Sequence, residues 1–119
     1  MAIYVTSDAH GHVRALDEAL SKISLASDDT LYVLGDMIDR GPDPVGVIKL
    51  VRSLPNARVL KGNHEQIMLD AIIGQDPLDA ETWDINGGWT TRQQLNDMEF
   101  EAYEELIRFS SAKSEAKRS

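Results

Sequence analysis

The sequence contains no cysteine, and this absence excludes two kinds of structural support. Without thiols the chain can form neither a disulfide framework nor a thiolate zinc site. It also has no long apolar run, so we expect neither a membrane-spanning helix nor a membrane partner. The N-terminal segment lacks the basic and apolar regions of a secretory signal. We therefore expect a cytoplasmic protein.

Basic residues are also few, with 12 Lys and Arg against 20 Asp and Glu and a formal net charge of −8. Non-specific binding of nucleic acid depends on neutralising phosphates with basic side chains, so we expect no nucleic-acid partner. The acidic balance does not exclude a phosphate-bearing substrate, because a bound metal ion can reverse the local potential.

Short apolar segments alternate with helical patterns over the first 74 residues. Strands are predicted at residues 3–6, 31–34 and 57–60, and helices at residues 12–24, 44–54 and 65–73. This β-α-β-α-β-α order predicts an α/β fold with a parallel sheet and crossover helices.

The pattern changes after Gly74. We expect a loop at residues 75–77 and a loop or helix entry at residues 83–88, which include Asn-Gly-Gly. Apolar residues from Phe100 to Ile107 then predict one more helix. We assign residues 1–109 to one domain and expect residues 110–119, which are small and polar, to form a disordered tail.

Polar and ionisable residues follow each of the three predicted strands. They are Asp8 and His10 after the first, Asp36, Asp39 and Arg40 after the second, and Asn63, His64 and Glu65 after the third. Ligands of open parallel sheets bind at the carboxyl ends of the strands, so these loops should converge on one site. Carboxylate, amide and imidazole donors without sulfur suit Mn, Fe or Zn better than copper or an iron–sulfur cluster.

Each of these residues also has an ordinary structural explanation. An Asp after a strand is commonly a turn or cap residue, and Asn63 alone would be read as a helix N-cap. His10 alone would be a surface histidine, and Arg40 a weak surface salt-bridge partner. All these explanations would have to hold at three successive strand ends, so we favour a shared site.

The three segments resemble the N-terminal signatures of the calcineurin-like metallophosphoesterases, namely Asp-x-His-Gly, Gly-Asp-x-x-Asp-Arg-Gly and Gly-Asn-His-Glu. They stand here at residues 8–11, 35–41 and 62–65. The Asp-Arg-Gly form is similar to the phosphoprotein-phosphatase branch. Gln66 and the segment 86–89, Asn-Gly-Gly-Trp, resemble bacterial and phage serine/threonine phosphatases and the related diadenosine tetraphosphatases.

The resemblance covers about residues 3–91 and implies the N-terminal half (β-α-β-α-β) of a four-layer αββα sandwich. It implies that Asp8 and His10 hold a first metal ion, that Asp36 bridges two ions and that Asn63 holds the second. Mn is the expected metal, with Fe, Zn or Ni as alternatives. A bridging water or hydroxide attacks phosphorus in this family.

The remaining roles also follow from the resemblance. His64 would protonate the leaving oxygen as general acid, and Asp39 would orient its imidazole. Arg40 would grip the phosphate oxygens, and Asn63 would also contact the substrate. Glu65 would support the metal ligands without touching the metal.

The sequence departs from this family in its histidines. Relatives complete the second metal with two histidines and bind phosphate with another arginine, all from their C-terminal half. This chain has three histidines, His10, His12 and His64, and we expect His12 to be a surface residue at a helix start. We therefore regard the chain as C-terminally truncated relative to the family. We expect an exposed apolar sheet face, and a homodimer or a complementing C-terminal partner.

Two functions of different class follow. The first is phosphoester hydrolysis of a phosphoprotein, in the manner of a serine/threonine phosphatase, with a small phosphoester or diadenosine tetraphosphate as the alternative substrate. The second is a catalytically weak or inactive relative that binds metal or a phosphorylated partner.

Overall fold

The computed structural model describes residues 1–74 and 76–116, with side chains up to residue 110. Its strands are β1 (Ile3–Thr6), β2 (Thr30–Val33) and β3 (Ala57–Val59). Its helices are α1 (Val13–Ile23), α2 (Pro44–Arg52), α3 (Asn63–Ile73), α4 (Pro77–Ile85), α5 (Trp89–Asn96) and α6 (Phe100–Ala116). Through α3 the order is the predicted one, with boundaries that differ by about two residues.

The three strands form one parallel sheet in the order β1-β2-β3, which confirms the predicted α/β fold. Ile3 pairs with Thr30, and Leu31 pairs with Ala57. Crossovers between neighbouring parallel strands are right-handed, so α1 and α2 cover the same face of the sheet. The core lies between this face and the helices, where Leu31 and other apolar side chains are buried.

The opposite face of the sheet is open, as expected. Its register places Val5 beside Tyr32 and Tyr32 beside Arg58, so these side chains share one face with Ile3. Ile3 and Val5 are 65% and 62% exposed, although both are large and apolar. We call Ile3, Val5, Tyr32 and Arg58 the open sheet face.

The expected loops after Gly74 are partly wrong, because α4 begins at Pro77 and contains Trp83. Asp76 caps this helix by accepting a hydrogen bond from the Leu78 amide at 2.9 Å. An Asp cap followed by proline at the first helical position also starts α2, and there the predicted helix start is confirmed. Gln75, in the expected loop, lies outside the described residues.

The predicted helix near the C-terminal end is present as α6. It continues to Ala116, past the predicted boundary at residue 109, so the backbone of residues 110–116 is helical. Residues 117–119 of the expected tail lie outside the described residues, and the domain boundary stays a prediction. None of the helices described is both long and apolar enough to span a membrane.

Candidate active site

The first two predicted ligand loops lie side by side because the pairing of β1 and β2 continues beyond the strands. The Asp8 amide donates to the Gly35 carbonyl at 3.3 Å, and the His10 amide donates to the Asp36 carbonyl at 3.0 Å. The convergence expected from sequence is therefore produced by backbone hydrogen bonds.

The third loop is joined to the second by the buried carboxylate of Glu65. One oxygen accepts from the amides of Asp36 and Gly62 at 2.6 and 2.9 Å, and the other accepts from the Met37 amide at 2.9 Å. Burial raises the pKa of Glu65, while these three hydrogen bonds act in the opposite direction. Glu65 thus holds the loops that carry Asp36 and Asn63.

Three of the predicted metal ligands come together at the strand ends. Asp8, His10 and Asp36 each offer a ligand atom, and these atoms lie within 4.8 Å of one another. The His10 Nδ1 atom lies 2.8 Å from the Ile38 carbonyl, which can only accept, so Nδ1 carries the proton. Its Nε2 lone pair is then available to a metal. Two carboxylates and one imidazole nitrogen fit a divalent cation.

Two members of the predicted ligand set, Asp8 and Asn63, are exposed. The Ser7 hydroxyl donates to Asp8 at 2.8 Å and lowers the pKa of that carboxyl, which favours the charged form. Asn63 is the first residue of α3, and the following His64 amide donates to Asp36 Oδ1 at 2.9 Å. This bond places Asn63 next to the ligand group. His12 is exposed at the start of α1, as predicted.

His64 and Asp39 form a buried pair beside the ligand group. His64 Nδ1 lies 2.8 Å from Asp39 Oδ2, and Asp39 has no exposed surface. The imidazole rings of His64 and His10 meet edge to face, with centroids 4.6 Å apart. The structure therefore brings the predicted general acid to the predicted metal ligands.

Two residues that sequence reasoning missed complete the environment of Asp39. Trp83 Nε1 donates to Asp39 Oδ1 at 3.0 Å, and the Thr91 hydroxyl donates to the same oxygen at 2.7 Å. The Thr91 hydroxyl also accepts from the Asp39 amide at 2.9 Å. The Asn-Gly-Gly segment lies between them in sequence, but no local pattern connects either residue to Asp39.

That Asn-Gly-Gly turn also contacts the predicted phosphate-binding residue, Arg40. The Arg40 amide donates to the Gly87 carbonyl at 2.9 Å, and Arg40 Nε lies 3.4 Å from the Asn86 carbonyl. Gly87 has φ +90°, and a Cβ there would lie 2.7 Å from Arg40 Cγ. Glycine is therefore required where this turn approaches the exposed arginine.

Backbone strain is concentrated at the candidate site. In the described part of the chain, the non-glycine residues with positive φ are Asp8, His10, Ser24, Asp36, Asp39 and Arg40. All of them except Ser24 are predicted site residues. Such conformations cost about 1–2 kcal/mol each and cluster at functional sites, so the strain independently marks this region.

Comparison with known proteins agrees with this geometry. Residues 1–113 match the model of the calcineurin-like phosphoesterase family. The chain belongs to the calcineurin-like phosphoesterase family.

Two curated relatives of this calcineurin-like phosphoesterase have different substrates in their names. This chain is 36% identical over 110 residues to serine/threonine-protein phosphatase 2 of Escherichia coli K12, and the match covers 90% of this chain and 48% of the relative. It is 38% identical over 107 residues to the symmetrical bis(5'-nucleosyl)-tetraphosphatase of Pectobacterium carotovorum strain PC1, covering 80% and 38%. The chain thus spans less than half the length of these relatives.

A solved structure resembles this calcineurin-like phosphoesterase in fold and sequence. The metallophosphoesterase from Sphaerobacter thermophilus superimposes with a TM-score of 0.57 at 32% identity, covering 87% of this chain and 39% of that one.

Proposed function

We propose that this chain hydrolyses phosphoesters in a metal-dependent reaction at the carboxyl ends of its strands. The observation that carries the proposal is one cluster: Asp8, His10 and Asp36 within 4.8 Å, with the His64 ring 4.6 Å from that of His10. A metal-ligand group and a carboxylate-supported histidine are the two parts that metal-assisted hydrolysis requires.

The metal ligands in this proposal are those predicted from sequence. Asp8, His10 and Asp36 would hold one divalent cation, and Asp36 together with Asn63 would supply ligands to a second. Manganese is our proposed metal, because oxygen and imidazole donors suit it. A bound divalent cation supplies Lewis acidity and lowers the pKa of water.

The chain's own side chains then act on the substrate. His64, with a proton on both ring nitrogens, donates the Nε2 proton to the leaving oxygen and becomes the neutral Nδ1–H tautomer. Its Nδ1 lies 2.8 Å from Asp39 Oδ2, which accepts the Nδ1 proton throughout. Arg40, anchored by the turn at Gly87, offers its planar fork to the phosphate oxygens. Asn63, exposed beside Asp36, contacts the same phosphate.

For the substrate we propose a phosphorylated serine or threonine in a protein, with diadenosine tetraphosphate as the alternative. The names of relatives include both activities. In both reactions an oxygen leaves phosphorus and takes a proton from a general acid: the serine or threonine oxygen of a phosphoprotein, or a diphosphate oxygen of diadenosine tetraphosphate. The residues described above serve either substrate. A cytoplasmic location remains part of the proposal.

A second candidate function is binding of metal or a phosphorylated partner without turnover. It is favoured by the histidine count, because none of the three histidines lies after residue 64. In the hydrolase proposal the remaining ligands of the second metal come from another chain, either a second copy in a dimer or a complementing C-terminal partner. Stoichiometry and assembly state therefore separate the candidates.

The experiment is manganese loading followed by elemental analysis, light scattering and an assay with p-nitrophenyl phosphate. We expect turnover that is abolished in Asp36→Asn and reduced about 10²-fold or more in His64→Asn. Asp97→Asn and His12→Asn are matched controls, since both residues are exposed and lie outside the ligand group. One metal per chain without turnover supports the binding function, and absence of turnover with Mn, Fe, Zn or Ni rejects the hydrolase.

A further inference from the structure

The two oxygens of Asp39 have separate tasks in this structure. Oδ2 faces His64 Nδ1, while Oδ1 is shared by Trp83 and Thr91. We propose that Trp83 and Thr91 are positioning residues that lock the Asp39 carboxylate, and through it the orientation and tautomer of His64. This inference deepens the proposed hydrolytic function and rests on it for the role of His64.

The hydrogen bonds around Asp39 allow a single assignment of donors and acceptors. The Thr91 hydroxyl accepts from the Asp39 amide at 2.9 Å, so its one proton is committed to Oδ1 at 2.7 Å. The Trp83 indole nitrogen can only donate. Oδ1 is therefore an acceptor from both, and the carboxylate leaves Oδ2 to accept from His64 Nδ1.

The support matters because, among the described residues, the hydrogen bonds of the Asp39 carboxylate go only to Trp83, Thr91 and His64. Asp39 lies at φ +70°, an unfavourable conformation for a residue with a Cβ. A neutral imidazole has two tautomers of similar energy, and the partner of one nitrogen decides which is populated. If the carboxylate rotates, His64 loses the partner that keeps its proton on Nδ1.

The positions of the two residues in the fold explain how both reach Asp39. Trp83 lies in α4 and Thr91 in α5, on either side of the Asn-Gly-Gly turn. A Cβ on Gly88 would overlap the Trp83 ring, so this turn packs directly on the indole. The same turn contacts Arg40, so the α4–α5 segment supports both Asp39 and the proposed phosphate-binding arginine.

The chain offers closely matched variants. Thr91→Val removes the hydroxyl at nearly constant volume, and Thr91→Ser retains it. Thr90→Val is the control, because the neighbouring Thr90 hydroxyl is buried with no hydrogen-bond partner among the described residues. Trp83→Phe removes the indole donor, and Trp89→Phe is its control, because Trp89 is 57% exposed and Trp83 is 4% exposed.

The first readout is the tautomer of His64 in the metal-free full chain, which does not depend on activity. Histidine labelled with ¹⁵N gives one pair of ring-nitrogen signals for each of the three histidines, and His64→Asn identifies the pair of interest. In the neutral form of the ring, which the ¹⁵N shifts identify, we expect the Nδ1–H tautomer in wild type, Thr91→Ser and Thr90→Val. We expect a mixture of tautomers in Thr91→Val and Trp83→Phe, and an unchanged tautomer in both would overturn the inference.

A measurement on the wild-type protein tests the inference even if these variants do not fold. The Trp83 indole proton should exchange with solvent far more slowly than that of Trp89, because it is buried on a carboxylate oxygen. Equal, rapid exchange of both indoles contradicts the assigned bond and with it the inference.

The second readout is the dependence of the hydrolysis rate on the leaving group, which reports on protonation of the leaving oxygen. Loss of general-acid alignment slows an ester with a poor leaving group, phenyl phosphate, more than p-nitrophenyl phosphate. For Thr91→Val and Trp83→Phe we expect kcat on phenyl phosphate to fall about tenfold or more, a smaller fall on p-nitrophenyl phosphate, and little change in KM. Equal losses on both esters, or an equal loss in Thr90→Val, count against positioning.

These measurements distinguish a failure of the proposed hydrolytic function from a failure of the positioning inference. If wild type hydrolyses neither ester, the proposed function fails and the tautomer still decides whether Trp83 and Thr91 position His64. If wild type is active and Thr91→Val alters neither the tautomer nor the leaving-group dependence, the positioning inference alone is wrong.

Discussion

Gly35 and Gly62 lie so close together that a methyl group on Gly35 would overlap the backbone nitrogen and Cα of Gly62. Gly35 precedes Asp36 and has φ +90°, whereas Gly62 begins the third loop at φ −89°. A Cβ on Gly62 would in turn meet Asp36. Two ligand loops can therefore meet only because both glycines lack side chains.

The substitutions Gly35→Ala and Gly62→Ala separate contact from backbone strain. Both introduce a steric conflict between the loops, Gly35→Ala with the backbone of Gly62 and Gly62→Ala with Asp36, but only Gly35→Ala also places a Cβ at positive φ. We expect both to destabilise the fold, Gly35→Ala by about 1–2 kcal/mol more than Gly62→Ala. Urea unfolding of the metal-free variants measures this difference. An equal fall in the free energy of unfolding in both variants would show that the left-handed conformation at Gly35 adds no further destabilisation.

Glu65→Gln tests the carboxylate that joins the second and third loops. The amide keeps one acceptor oxygen but presents an NH₂ group to at least one of the three backbone amides that Glu65 now satisfies. We expect the free energy of unfolding to fall by about 2 kcal/mol. Glu81→Gln, at an exposed site on α4, should leave it unchanged. An equal fall in the free energy of unfolding of the control would contradict the proposal that Glu65 stabilises the fold by joining these loops.

Asp29 should make stability depend on pH outside the candidate site. Its carboxylate accepts from the amides of Ala26 and Ala2, each at 2.8 Å, and these bonds lower its pKa. A lowered folded-state pKa means that the stabilisation is complete above the unfolded pKa of about 3.9 and is lost as pH falls through the folded value.

The measurement is the difference in unfolding free energy between wild type and Asp29→Asn from pH 7 downward. We expect it to be constant at neutral pH and to shrink below about pH 4. Asp97→Asn, at an exposed position, supplies the matched loss of charge. A difference that stays constant to the lowest pH at which the protein is folded would contradict this assignment.

The open sheet face should promote self-association. Val5→Lys places a charge on this face where the side chain is already 62% exposed, so we expect folding to be retained and association to weaken. Leu78→Lys, at a similarly exposed position on α4, should not change association. Light scattering over a range of concentrations measures both, and wild-type protein that is monomeric throughout would exclude the open sheet face as a contact between copies.

Local sequence patterns were sufficient for the first half of the fold. Asp43 followed by Pro44 marked the start of α2, and the structure confirms it. The same signal at Asp76 and Pro77 was read as a loop, although the cap bond to Leu78 is equivalent. The start of α4 is therefore also encoded locally, by an Asp cap followed by proline.

The sequence by itself determined which residues stand at the strand ends, because strand, turn and cap signals act over a few neighbouring positions. It thereby placed Asp8, His10 and Asp36 on adjoining loops before the sheet was known. Only the tertiary structure decided that Trp83 and Thr91 hold Asp39, across 44 and 52 positions of chain. Partners so distant are selected by the packing of α4 and α5 against the sheet-end loops, and a local pattern contains no information about that packing.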